Sequence, residues 1–180
     1  MATPSQRAID EIEVPEGFRA ELINGEIILS PSSKSLHWLI QFSLFQQFIP
    51  LGWMVVAEQT IIHPKHSDEP RPDFLVLSDD EIDPEAHIPG DKGVLVVEVL
   101  STNRGVDLVD KVGVYAAFGI PNYLIIDPFN GECILYQEPH GREYFSRKTI
   151  PFGEPVELPE PLSLAVDTSG FRTYRQRNRG

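Results

Sequence analysis

PDFLVLSDDEIDPEAHIPGDKGVLVVEVL, residues 72–100, holds two short apolar runs, Asp73 to Leu77 and Val94 to Leu100, separated by an acidic connection. Ser78 to Gly93 carries two prolines and two glycines, which interrupt any helical period and mark turns, so both runs read as strands. Val94 to Leu100 is the most hydrophobic segment of the chain and is expected at the centre of a sheet. If the two runs pair as antiparallel neighbours, a register that sets Leu77 opposite Val94 also sets Asp73 opposite Glu98. Both carboxylates then share one face, with Cβ atoms about 4.5–5.5 Å apart, and like charges so placed repel unless something positive lies between them.

Working outward, Phe18 to Ile23 and Glu26 to Leu29 flank Asn24-Gly25, a dipeptide that accepts the positive φ angles of a tight hairpin turn. Ser32 or Ser33 can cap a helix running to about Ile49, whose apolar residues spread too widely for one stripe, so that helix is expected to be largely buried. Trp53 to Ile62 reads as a strand. After Glu98, Val106 to Phe118 reads as a helix stopped by Gly119-Ile120-Pro121, and Asn122 to Ile126 as another buried strand. Asn130-Gly131 and His140-Gly141 divide the next stretch into strands at Glu132 to Gln137 and Arg142 to Ile150, followed by irregular cover over Pro151 to Pro161. The order implies an α/β or α+β fold, a mixed sheet flanked by helices. One domain over residues 18–168 is expected, with an extension at 1–17 and a basic tail at 169–180 carrying Arg172, Arg175, Arg177 and Arg179.

The chain has 180 residues, enough for one substantial core. Cys133 is its only cysteine, which leaves no intramolecular disulfide and points to the cytoplasm. No stretch approaches the length of apolar sequence that spans a membrane. The 27 acidic against 15 basic residues give a formal net charge of −12, which opposes long-range attraction of a polyanion and argues against a dedicated DNA-binding module. A bound cation inverts that logic locally.

Glu98 interrupts Val94-Leu95-Val96-Val97 and Val99-Leu100, where an unpaired carboxylate costs several kcal/mol or shifts its pKa. Nothing in the adjoining sequence neutralises it. A hard divalent cation, magnesium or manganese, held by Asp73, Glu98 and the Val99 carbonyl is the natural candidate, polarising a phosphate and activating water. Lys111 follows Asp107 by four residues and precedes Tyr115 by four, so in a helix the three lie on one side, and Asp107 can hold Lys111 toward the sheet. His63 and His66 invite a zinc reading, but lie in a proline-containing loop with no thiol nearby. Asp79-Asp80-Glu81 lacks the features of a calcium loop, and neither a phosphate-binding glycine loop nor a nucleophilic serine elbow is present.

Glu21-Leu22-Ile23-Asn24-Gly25-Glu26, Ser30-Pro31, His37, Pro72-Asp73, Val97-Glu98-Val99-Leu100-Ser101, Asp107 with Lys111, Tyr115-Ala116, Gly119-Ile120-Pro121, Tyr123 and Asp127-Pro128 together resemble the bacterial putative restriction endonuclease family. That family is similar in fold to the PD-(D/E)XK nucleases. The resemblance implies a restriction-endonuclease-like core, Asp73 and Glu98 as metal ligands, and phosphodiester hydrolysis in nucleic acid, with DNA the expected substrate. Leu100 stands where the general motif has its lysine, which resembles variants that carry the lysine on the following helix and points to Lys111. The Ser101 to Gly105 loop is one residue shorter than the family's usual version and lacks its proline. Glu26 and His37 stand where the resemblance places auxiliary groups. Cutting both strands of a duplex favours a homodimer, and the rival reading is a non-catalytic scaffold that kept the nuclease core.

Overall fold

The computed structural model describes residues 2–32, 35–78, 83, 86–101 and 105–174, without the Asp107 side chain. Ser33, the Asp79-Asp80-Glu81 run and the tail arginines Arg175, Arg177 and Arg179 lie outside the described residues.

The first element lies within the expected N-terminal extension. Helix α1 (Pro4–Glu11) is set by a capping box in which Thr3 Oγ1 accepts from the Gln6 N–H and Gln6 Oε1 accepts from the Thr3 N–H. Its Gln6 donates to Glu69 Oε1, and Ser5 donates to the Gly25 carbonyl. Strands β1 (Phe18–Ile23) and β2 (Glu26–Pro31) form the expected hairpin, with Asn24 and Gly25 at φ 53° and 81°. Helix α2 (Ser35–Phe48) runs into a 3-10 turn, Ile49–Leu51, closed by left-handed Gly52.

Trp53 to Ile62 is not one strand. It divides into β3 (Met54–Val56) and β4 (Ile61–Ile62), because Glu58 takes φ 52° and donates its N–H to the Pro72 carbonyl, which turns the chain out of the sheet. Next come β5 (Phe74–Leu77), β6 (Ile88–Pro89), β7 (Gly93–Val99), helix α3 (Lys111–Ala117) and β8 (Asn122–Asp127). The chain continues through β9 (Glu132–His140), β10 (Glu143–Pro151), β11 (Val156–Leu158) and β12 (Leu164–Val166). The main sheet has six strands in the order β10-β9-β8-β7-β5-β3, with β7 and β8 parallel and the other neighbours antiparallel. Strand β4 leaves it to pair with β6, and β11 pairs with β12, giving order to part of the expected irregular cover.

Strand alternation divides the core into two layers. Phe74, Val76, Leu95, Val97 and Val99 pack with Ile40, Leu44 and Phe48 of α2. Leu75, Leu77, Val96 and Leu100 pack with Val114, Tyr115 and Phe118 at α3. Strands β5 and β7 pair Phe74 with Val97, Leu75 with Val96 and Val76 with Leu95. The ladder ends at the Phe74–Val97 pair, so Asp73 lies one residue outside β5 rather than in a strand pair with Glu98. At its other end a bulge pairs Leu77 with Gly93 rather than Val94, so the expected pairing is displaced there.

Two helices depart from expectation. Only the inner face of α2 is buried, for Trp38, Leu39 and Phe42 are exposed. The segment Val106–Asp110 is a π turn, in which the Lys111 N–H donates to the Val106 carbonyl, and α-helical winding begins only at Lys111. The expected four-residue Asp107–Lys111 relation therefore does not lie within regular α-helix. At the far end Gly119 takes φ 75° and the Ile120 N–H donates to the Tyr115 carbonyl, the expected glycine stop. Among the described residues no helix is long and apolar enough to cross a membrane.

Candidate active site

The C-terminal end of β7, the residue entering β5, the first strand of the hairpin and the inner faces of α2 and α3 meet at one buried polar cluster. Glu98, on β7, projects to the α3 side, where Lys111 Nζ lies 2.8 Å from its Oε1 and the Tyr115 O–H donates to the same oxygen at 2.6 Å. Lys111 is 1% exposed and also lies 2.8 Å from Glu21 Oε1. The Arg71 N–H donates to that Glu21 oxygen at 2.7 Å. Asp73 completes the group: Arg19 Nη1 donates to its Oδ1 at 2.9 Å, and the Val99 N–H donates to its Oδ2 at 2.7 Å. His37 Nε2 lies 2.6 Å from the same Oδ2, and Gln41 on the next turn of α2 donates to the Asp73 carbonyl.

Three buried carboxylates therefore meet Arg19, Lys111 and His37. The adjoining sequence supplies no partner for Glu98, as expected; the neutralising groups come instead from the following helix and the hairpin. Burial in so apolar a setting is tolerable only with such partners, since an isolated buried charge is far costlier than a paired one.

The electrostatics assign states to these groups. Burial alone would raise the Asp73 pKa, but the His37 hydrogen bond, with the charges of His37, Arg19 and Lys111, outweighs it and holds the carboxyl well below its ordinary range. Burial would also lower the Arg19 pKa, and the charges of Asp73, Glu98 and Glu21 more than offset it, keeping the guanidinium protonated. Burial and the Glu98 charge hold Tyr115 well above its usual value, so its phenol is a donor and not a base. An acid with a depressed folded pKa contributes stability that is complete above its unfolded pKa, about 3.9, and is lost as the pH falls through the folded value. The unfolding free-energy gap between wild type and Asp73→Asn should accordingly be widest near neutrality and narrow in strong acid. A gap unchanged from about pH 6 to about pH 2 in denaturant titrations would contradict this assignment.

Of the residues expected at the site, Asp73, Glu98, Lys111 and His37 come together; Val99, expected to offer its carbonyl, contributes its N–H, which donates to Asp73. Glu26 does not join them: it is exposed beside the hairpin turn, while Glu21 on the partner strand enters the cluster. Arg19 and Glu21 escaped sequence reasoning. Their signal was a charged pair two apart in β1, pointing to one face of the hairpin beside Leu22 and Ile23. The donors Asp73 and Glu98 are hard oxygens. Among the described residues no three His, Cys, Asp or Glu side chains are disposed to hold an ion together. Magnesium is commonly held by only one or two carboxylates with water and phosphate filling its other positions, so this pair fits magnesium or manganese and not a closed all-protein cage.

Among the described residues zinc finds no comparable set. The His63 and His66 rings stand 4.9 Å apart and pack against Phe118. Cys133 lies in the core on β9, where burial, with a smaller contribution from Glu132, pushes its thiol up to about 12.

A crystal structure described as a putative nuclease belonging to DUF820 from Anabaena variabilis ATCC 29413 is similar to this chain with a TM-score of 0.66. The likeness covers 88% of this chain and 92% of the other at 17% sequence identity, and it establishes a shared fold. Comparison with curated proteins gives no match. The Uma2 family, described as putative restriction endonuclease, matches residues 7–169. With the whole six-stranded sheet and all the clustered side chains inside that span, the chain belongs to the Uma2 putative restriction endonuclease family.

Proposed function

We propose that this chain is a divalent-metal-dependent endonuclease that hydrolyses phosphodiester bonds in DNA. The observation that carries the reading is Lys111, which reaches from α3 to within 2.8 Å of Glu98 although Leu100 occupies the strand position of the motif lysine. Asp73 and Glu98 would hold magnesium or manganese. The bound ion would supply Lewis-acid polarisation of a phosphate oxygen and a more acidic water. Lys111 would position that water and stabilise charge gathering on the phosphate oxygens. The Val99 N–H and His37 would keep the Asp73 carboxylate oriented and ionised, and Tyr115 would keep Glu98 oriented by donating to it.

The test is relaxation of supercoiled plasmid by purified protein with magnesium or manganese, against the same protein with chelator. Nicking that depends on the metal is the expected result. Nicking that persists in chelator, or no nicking with either metal, would sink the proposal.

One observation favours a second reading, a scaffold on the nuclease fold: the three carboxylates already face Arg19, Lys111 and His37 within the chain. Calorimetric titration with manganese separates the two readings. A nuclease takes up the ion and cleaves, whereas a scaffold shows neither.

A further inference from the structure

We propose that the outer face of α2 is the contact through which two copies of this chain associate. From Ser35 to Ala57 the sequence contains no Asp, Glu, Lys or Arg, in a chain of which 23% is charged. The inner seam of α2, at His37, Gln41, Leu44 and Phe48, is buried against the sheet and the carboxylate cluster. Rotated by one residue, Trp38 and Phe42 lie four apart on the outer side, with Ile49 following in the 3-10 turn, while Phe45 between them leans inward against Phe74. A helix apolar on all sides is ordinarily enclosed on all sides. Here one side is open: Trp38 is 57% exposed, Ile49 55% and Leu51 61%, with Leu39 and Phe42 also exposed. Trp38 and Phe42 stack at 5.2 Å between ring centroids, so the face is a preformed aromatic surface.

The chemistry of this face selects its occupant. A nucleic-acid backbone requires cations, and an interfacial membrane helix carries Lys or Arg along its polar side. Neither is available in this segment. Two copies each bearing −12 repel over most of their surfaces, and an uncharged face is where they can approach. A two-fold contact also needs a surface complementary to itself, which a stripe of aromatic and aliphatic side chains provides. The exposed parts of these side chains amount to about 500 Å². That is close to the apolar share of the roughly 800 Å² each partner gives to a stable homodimer. Because His37 and Gln41 of the same helix touch Asp73, association here would place the two carboxylate clusters on either side of paired α2 helices.

The full chain should sediment as a dimer at about 50 μM. Trp38→Glu and Phe42→Glu should each weaken association on the order of a hundredfold, as truncated or charged aromatic anchors do, with circular dichroism unchanged. Phe42→Cys provides a readout that does not depend on tolerating a charge. Under mild oxidant it should yield a disulfide-linked pair, whereas wild type, whose one cysteine is buried in the core, should not. A monomeric wild type overturns the proposal, whatever else the face then binds. So does a dimer that survives both glutamate variants while Phe42→Cys fails to cross-link.

Discussion

Replacing Lys111 with methionine is expected to lower the unfolding free energy by about 3–5 kcal/mol, a large fraction of the 5–15 kcal/mol that holds a typical domain folded. Methionine matches much of the stem's volume, so packing changes little and the loss isolates the ammonium. Without it, Glu98 keeps only the Tyr115 hydroxyl among the named donors to Oε1, and Glu21 keeps the Arg71 N–H with Arg19 at 4.0 Å. Two carboxylates are then left in a nearly dry interior with one of their shared cations removed, which is the costly way to break a buried pair. For a chain of this size the midpoint of thermal unfolding should fall by roughly 10 °C or more. Adding Glu98→Gln to Lys111→Met removes one of the stranded charges, so the double variant should recover part of the loss and reveal a coupling between the two sites. Denaturant titration of wild type, the two single variants and the double measures that coupling. A Lys111→Met protein within about 1 kcal/mol of wild type would contradict the role of Lys111 as the buried cation that Glu98 and Glu21 share.

How much of this cluster could be read from sequence depends on where each signal resides. Asp73 and Glu98 were legible because each caps or interrupts an apolar run, and because two neighbouring antiparallel strands admit few registers that keep both faces apolar. The bulge at Leu77 was not legible, since it depends on how Gly93 enters β7 and not on any pattern within the strands. Lys111 and Tyr115, four apart, share a side of α3 as helical spacing implies, and that side meets Glu98. The π turn before them has no periodic signature in Val106 to Asp110. Glu21 and Arg19 were hidden for another reason. Charged residues alternating along a hairpin ordinarily face water, and only the packing of β1 against α3 and the β5 entrance makes that face interior. Helix α1 was legible and overlooked, since Thr3-Pro4-Ser5-Gln6 already carries the cap, the first-turn proline and the glutamine of a capping box. The split of Trp53 to Ile62 rests on Glu58 adopting positive φ, which its residue type does not advertise.

Glu98→Gln should lower the proposed nicking rate by about a thousandfold, and Asp73→Asn by a similar factor. A metal's Lewis-acid contribution is several kcal/mol, and each 1.36 kcal/mol of barrier is tenfold in rate. The amides preserve shape and the ability to accept a hydrogen bond, so the Lys111 and Tyr115 contacts to position 98 retain an oxygen acceptor while the charge that would hold the cation is gone. The two variants also carry different structural consequences, which makes them jointly informative. Glu98→Gln leaves Lys111 facing Glu21, so the cluster keeps an ion pair; Asp73→Asn leaves Arg19 facing Glu21 at 4.0 Å and Lys111 undisturbed. Folding can be monitored in each by circular dichroism and by the cooperativity of urea unfolding, and manganese affinity by calorimetry. If the carboxylates serve as ligands, rate and ion affinity should fall together in both variants while unfolding stays cooperative. If they serve only as partners for Arg19, His37 and Lys111, stability should fall with no change in ion uptake. A folded Glu98→Gln protein that still nicks plasmid within about threefold of the wild-type rate would exclude Glu98 from the chemistry, because a lost ligand charge is far more damaging than that.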